Sequence, residues 1–318
     1  MNKNQFTSRF DFSHIIGRKR IISSSVGPNG EAVVLAVEKK FEKDPFGKNK
    51  QKFGIFPLTK PRRAYPAVFI RCDGRSTQQT ELADVGIAYP FIQPLPEGEL
   101  LIVGGRCDFR NGNPEQNAAV YGLDGVLRRQ FVLGDGINGV QTTSGGMIWV
   151  AYFDEGVIGN FGWKKPLGAA GLVCFDRFGK IEWNYQPPVG FDIMVDCYSF
   201  NVCADSVWAC YYSDFPLVQI DSRKQVRAWK NTVAGARALA VNSDHILLWG
   251  GYGEKHARCI LQNIQGDSLA NPVELCLTLP LGLNALGATF VGRGSVLHAF
   301  SERDWFTFDL AEVTAAAH

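Results

Sequence analysis

The stretch Gly134 to Gly139 (GDGING) has the Gly-x-Gly-x-x-Gly spacing that lets a backbone turn approach a pyrophosphate. That chemistry needs a strand before the turn and a helix after it, so that free N–H groups at the helix start face the phosphates. Here Val140-Gln141-Thr142-Thr143 and a Gly-rich turn follow, which is strand context, and the glycines read as a tight entry into a strand. The five histidines, at 14, 245, 256, 298 and 318, never fall four residues apart as a helical metal pair would. His298 lies inside the apolar run VLHAF and reads as structural. No Gly-x-Ser-x-Gly elbow and no His-Glu-x-x-His occurs. The eight cysteines contain no Cys-x-x-Cys pair, and Cys72, Cys174, Cys203, Cys210, Cys259 and Cys276 sit in apolar stretches. They read as small buried hydrophobes in a reducing compartment. What remains is electrostatic: from Lys39 to Arg63 the chain carries nine Lys or Arg against Glu42 and Asp44.

The elements that must carry these residues follow from composition and repetition. The chain has 318 residues, 46% hydrophobic and 20% charged, which excludes disorder and fibrous repeats. Thirty-four glycines with 12% aromatic residues favour sheets joined by many turns. The net charge of +2 makes no whole-chain case for nucleic acid or membrane. A turn followed by an apolar strand recurs six times: Pro28-Asn29-Gly30 before AVVLAV, Pro96-Glu97-Gly98 before LLIVGG, and Ser144-Gly145-Gly146 before MIWVAYF. Ala204-Asp205-Ser206 before VWACYY, Asn242-Ser243-Asp244 before ILLWGG, and Gly292-Arg293-Gly294 before VLHAF complete the set. A second apolar strand follows each, ending at Arg75, Val126, Lys180, Gln225, Asp267 and Leu310, usually with an Asp or Asn that opens another hairpin. The unit is four antiparallel strands, a to d, repeated six times.

On these repeats the chain resembles the β-propeller superfamily, and the resemblance covers nearly all of it. It rests on blade rhythm, because the Gly-His and Trp-Asp marks of WD repeats and the kelch double glycine are absent. The expected fold is all-β, a six-bladed propeller of four-stranded antiparallel blades in one domain, 1–318. Blades are expected at about 21–82, 87–133, 137–186, 193–231, 236–280 and 284–310. A strand over 9–16 is expected to supply the outer strand of the last blade and so close its open edge. Trp149, Trp208 and Trp249 occupy equivalent strand positions and read as blade packing. The tail Ala311 to His318 reads either as a helical turn or as an appended segment. The polar N-terminus MNKNQFTSRFDF lacks the apolar core of a signal peptide, and the apolar runs are too short to span a bilayer. A cytoplasmic protein with no membrane association is expected.

The a–b and c–d turns are short, whereas the b–c connections of the first three blades are long: 39–63, 106–117 and 154–170. Long loops in a compact fold commonly carry function. The expected partner-binding residues are Lys43, Phe46, Lys48, Lys50, Phe53, Phe56, Arg62, Arg106, Phe109, Arg110, Phe161, Trp163, Lys164 and Lys165. Aromatics interleaved with basic residues suit an interface with an acidic protein surface. The expected function is therefore a non-catalytic scaffold, monomeric apart from its partner; a concrete form is an immunity protein that covers a bacterial toxin domain. Two alternatives stand beside it. Resemblance to six-bladed lactonase or gluconolactonase-like hydrolases implies a Ca²⁺ or Zn²⁺ site near the inner strands, for which Asp135, Asn138, Asp192 and Asp196 are the available ligands. RNA binding by the basic loop is the other, with affinity falling steeply as salt is added.

Overall fold

Each of the six expected turns joins an innermost strand to a strand buried on both faces. The computed structural model describes residues 5–52 and 54–314, and it is a six-bladed β-propeller. Two compact units divide it, 14–185 and 1–13 with 186–318, each containing three four-stranded antiparallel sheets. In the unit 14–185, blade one is Arg20–Val26, Ala32–Val37, Tyr65–Cys72 and Thr77–Val85. Blade two is Pro90–Pro94, Leu100–Gly104, Ala118–Tyr121 and Leu127–Phe131, and blade three is Ile137–Thr142, Ile148–Tyr152, Leu172–Phe175 and Ile181–Asn184. In the other unit, blade four is Asp196–Val202, Ser206–Tyr212, Leu217–Asp221 and Val226–Trp229. Blade five is Ala238–Val241, His245–Trp249, Cys259–Gln265 and Ser268–Leu275.

Blade six takes Thr289–Arg293, Val296–Ser301 and Asp304–Asp309 from the end of the chain and Thr7–Asp11 from its start. Thr7 lies opposite Thr307 and Asp11 opposite Asp304, so the N-terminal strand does close the last blade. The closing strand ends earlier than the span 9–16. Asp11 Oδ1 accepts a hydrogen bond from the Ser13 N–H at 2.7 Å, an Asx turn that breaks the ladder and starts the short helix Ser13–Ile16. Phe12 stays buried because its N–H still reaches the Arg303 carbonyl at 2.8 Å. At the other end Leu310–Thr314 is helical, and residues 315–318 lie outside the described ones.

The second strands read AVVLAV, LLIVG and IWVAY without polar interruption because both of their faces are covered; every residue in them is buried. The outer strands alternate instead, as in TQQTELADV, where one face meets solvent. Between blades one and two the core holds Leu35, Phe69, Ile102 and Tyr121; between blades two and three it holds Leu101, Val120, Val150 and Phe175. In the other unit Trp208 stacks on Trp229 at 5.3 Å, and Trp249 stacks on Phe290 at 4.3 Å with Phe6 against its edge. Burying each such side chain contributes roughly 1.5–3 kcal/mol. The inner strands approach closely where Gly292 passes Leu239: a Cβ there would lie 1.6 Å from the Leu239 carbonyl oxygen.

Six cysteines are buried, as the apolar context implied for most of them. Cys203 is only half-buried and Cys276 is exposed, just past the end of its strand, so these two depart from the expectation. No helix among the described residues is long and apolar enough to cross a membrane.

Candidate functional site

In the unit 14–185 the b–c connections run over 38–64, 105–117 and 153–171, and they are folded rather than loose. The first makes two tight turns, Lys39–Phe41 and Asp44–Phe46, then a small hairpin, Lys48–Gln51 with Gly54–Pro57. Its two ends are tied together by Arg63, whose Nε donates to Asp44 Oδ2 at 2.6 Å and whose Nη2 donates to the Lys40 carbonyl at 3.2 Å. The same guanidinium lies 4.7 Å from the Phe41 ring centre. Tyr89 fastens the loop from below: its N–H donates to the Pro45 carbonyl, its hydroxyl to the Gly47 carbonyl at 2.7 Å, and its ring meets Phe46 edge-on.

Arg106 locks the second and third loops. It donates through Nε and Nη2 to both oxygens of Asp135 at 3.0 Å, and through Nη2 to Glu155 Oε2 at 2.5 Å. The Cys107 N–H adds a third hydrogen bond to Asp135 at 2.8 Å. The Phe161 ring covers the guanidinium at 4.5 Å, with Phe153 at 5.3 Å. Burial pushes the Asp135 carboxyl up; the Arg106 charge and the Cys107 N–H oppose it. The pair is thus held by geometry in a place that water does not reach, where an unpartnered charge would be costly. Trp163 completes the lock, donating Nε1–H to the Cys107 carbonyl at 2.8 Å and packing on Phe109 at 5.0 Å. The Phe109 N–H also donates to the Phe161 carbonyl.

This geometry explains the glycines of the GDGING stretch without a nucleotide. Gly136 has φ +66, and a Cβ on it would lie 2.2 Å from the Gly156 nitrogen, so the segment after Arg106's partner must be bare for the third loop to pass.

The expected partner-facing residues separate into two classes. Arg106 and Trp163 were expected on the exposed face; both are buried, at 8% and 7% exposure, because they anchor the loops. Phe56, Phe109 and Phe161 are half-buried for the same reason. Lys43, Phe46, Lys48, Lys50, Arg62, Arg110, Lys164 and Lys165 are exposed, and Phe53 falls outside the described residues. Arg110 pairs with Asp108, and Lys60 with Glu115 at 3.4 Å, which joins the first loop to the second. Between them opens a cleft of about 750 Å³ lined by Leu58, Lys60, Arg62, Asp108, Arg110 and Glu115. Lys43, Lys48, Lys50, Arg62, Lys164 and Lys165 have no ion-pair partner among the described residues.

The metal-ligand set fares differently. Both Asp135 oxygens are engaged by Arg106, so this carboxylate does not fit a divalent cation. Asn138 is exposed at the start of its strand. Asp192 and Asp196 belong to the other unit, where Asp192 is exposed and accepts from the Ser213 hydroxyl at 3.4 Å, and Asp196 is half-buried. Among the described residues no three His, Cys, Asp or Glu side chains converge as a metal site. Burial, then the Asp135, Glu115 and Asp108 charges, push the Cys107 thiol far up, which disfavours its thiolate. The residues that sequence reasoning missed are Glu155, which accepts from Arg106, Glu115 and Asp108, which pair with Lys60 and Arg110, and Tyr89, which fastens the first loop.

A family model described as the YxzG family matches residues 167–258. No curated protein matches the chain. Among solved structures, a catalytically inactive virginiamycin B lyase from Staphylococcus aureus, crystallised with quinupristin, is similar at 12% identity. The match covers 95% of this chain and 97% of that one, with a TM-score of 0.48. AztD from Citrobacter koseri is similar at 8% identity over 92% of this chain and 83% of that one, with a TM-score of 0.44. BamB from Moraxella catarrhalis is similar at 11% identity over 88% and 70%, also with a TM-score of 0.44.

Proposed function

We propose that this propeller is a binding scaffold whose long b–c loops in the unit 14–185 take an acidic surface of a protein partner. One observation carries the reading. The three loops are pinned by buried aromatic and ion-pair contacts, and the cations left outside the pins, Lys43, Lys48, Lys50, Arg62, Lys164 and Lys165, have no internal counter-charge among the described residues. Loops already ordered in the free protein lose little entropy on docking, so their charge is available for association. In its concrete form the scaffold is an immunity protein, and the partner a toxin domain that the loops cover. The same reading places it in the cytoplasm, monomeric apart from that partner.

RNA is the weaker fit. Single-stranded nucleic acid is gripped by flat aromatic faces interleaved with cations. Of the described aromatics in these loops only Phe46 is exposed, at 37%. A metal-dependent hydrolase is disfavoured by the commitment of Asp135 to Arg106.

The test uses the full chain immobilised in a lysate of cells that contain its partner, at low salt. Wild-type protein is expected to retain an acidic protein that survives ribonuclease treatment. A variant with Lys43→Glu, Lys48→Glu, Lys50→Glu and Arg62→Glu is expected to lose it while keeping its circular dichroism spectrum. Equal retention by the folded variant would overturn the proposal, and loss on ribonuclease treatment would replace it with RNA binding.

A further inference from the structure

The unit 1–13 with 186–318 presents a different surface at its b–c connections. Tyr198, Phe215 and Tyr252 meet edge-to-face in a triangle, Tyr198–Phe215 at 5.3 Å, Phe215–Tyr252 at 5.8 Å and Tyr198–Tyr252 at 5.9 Å, and Tyr212 joins it through Phe215 at 5.8 Å. The Tyr252 hydroxyl donates to the Tyr198 hydroxyl at 2.6 Å. Asp214 and Phe215 both adopt positive φ, +59° and +53°, a conformation bulky side chains rarely take. That backbone is what seats the Phe215 ring among the three tyrosines. Tyr212 and Tyr252 nevertheless remain 49% exposed. Three carboxylates lie at the cluster: Asp196 is opposite Tyr212 in the sheet, Asp214 adjoins Phe215, and Asp192 accepts from the Ser213 hydroxyl at 3.4 Å.

Elsewhere three partly exposed rings lie under the chain's own arginines: Arg63 over Phe41, Arg106 over Phe161 and Arg177 over Phe178. No Lys or Arg of the described residues lies over any ring of the tyrosine cluster, although Lys255, three residues after Tyr252, and Arg237, whose N–H donates to the Trp249 carbonyl at 2.7 Å, are both exposed. The rings' negative faces and the flanking carboxylates both select a cation.

We infer that this cluster is a docking site for an arginine side chain of a partner protein, whose guanidinium lies on Tyr212 and Tyr252 and faces the carboxylates of Asp196 and Asp214. Its residues all belong to the unit 1–13 with 186–318, and it takes the opposite charge from the basic loops.

The probe is acetyl-Gly-Arg-Gly-amide, titrated into the full chain carrying ¹³C-labelled tyrosine and followed by the ring resonances. Its uncharged control is acetyl-Gly-Gln-Gly-amide. The arginine peptide is expected to move the Tyr212 and Tyr252 resonances at millimolar concentrations, with the glutamine peptide inert. Tyr252→Ala is expected to weaken binding about fivefold, Asp214→Asn about twofold, and Tyr252→Phe, which keeps the ring face, by less than about twofold. Equal shifts from the glutamine peptide, no shift from the arginine peptide at tens of millimolar, or unchanged affinity in Asp214→Asn and Tyr252→Ala together would overturn the inference. All variants keep Lys43, Lys48, Lys50 and Arg62, so loss of arginine binding with partner capture intact separates this site from the basic face.

Discussion

The two units build the same blades and finish them differently. In the unit 14–185 the b–c connections span 38–64, 105–117 and 153–171; in the other they are cut to 213–216, 250–258 and 302–303. The long set is held by a polar lock, Arg106 with Asp135 and Glu155, roofed by Phe161 and Trp163. The short set is held by rings on rings, Tyr198 with Phe215 and Tyr252, above a core where Trp249 stacks on Phe290. Long loops contain many backbone polar groups, and these need directional partners that an apolar core cannot offer. Short connections contain fewer such groups, and single contacts such as the Asn231 amide donating to the Phe215 carbonyl at 3.1 Å serve them beside the aromatic packing. The difference also sorts charge: cations outside the polar lock, carboxylates around the aromatic cluster.

The largest effect is expected from breaking the polar lock. Arg106→Leu strands Asp135 in a site 2% exposed, and a loss of about 3–5 kcal/mol is expected in urea unfolding. Adding Asp135→Asn removes the stranded charge while keeping an acceptor for the Cys107 N–H, and should recover more than half of that loss. The aromatic counterpart is Trp249→Ala, for which about 3–4 kcal/mol is expected. Its signature differs: the second substitution that rescues Arg106→Leu has no equivalent here, because the loss is of packed volume.

Acid should act on the aromatic unit through His298. Burial, with the Arg293 and Arg9 charges, pulls this imidazole down to about 3, and its Nδ1 accepts from Trp305 Nε1 at 3.1 Å. The folded state therefore holds it neutral while the unfolded chain takes up a proton below its usual value of 6.5. Its contribution is complete above pH 6.5 and is lost as pH falls from there toward 3, with a slope of up to about 1.4 kcal/mol per pH unit. His298→Phe should flatten that part of the stability profile; an unchanged slope would show that other groups govern it. The smallest effect belongs to the exposed cations. Each of Lys43→Glu, Lys48→Glu, Lys50→Glu and Arg62→Glu is expected to shift stability by less than about 0.5 kcal/mol.

Sequence pattern carried the blades well because turn chemistry and doubly covered strands are local signals. Pro28-Asn29-Gly30 and its five counterparts all fall at the junction of first and second strands, although Ser206 already belongs to a second strand and Gly292 and Arg293 to a first. The closing strand was legible in kind but not in extent, since the Asp11 side chain that ends it competes with the ladder through one hydrogen bond. The loop face was legible only in its composition. Arg106 looks like any loop arginine until Asp135 and Glu155, 29 and 49 residues away, converge on it. Trp163 likewise reads as a docking aromatic until the Cys107 carbonyl, 56 residues earlier, accepts its N–H. A guanidinium flanked by Phe109, Phe153 and Phe161 in neighbouring loops was the one available hint of an internal anchor.

The most direct measurement is partner capture by the fourfold charge-reversed loop face, compared with wild type at matched folding. The basic face predicts at least a tenfold loss of the captured acidic protein, with wild-type capture itself weakening as salt is raised. Capture of the same protein at wild-type level by the folded, charge-reversed chain would contradict it.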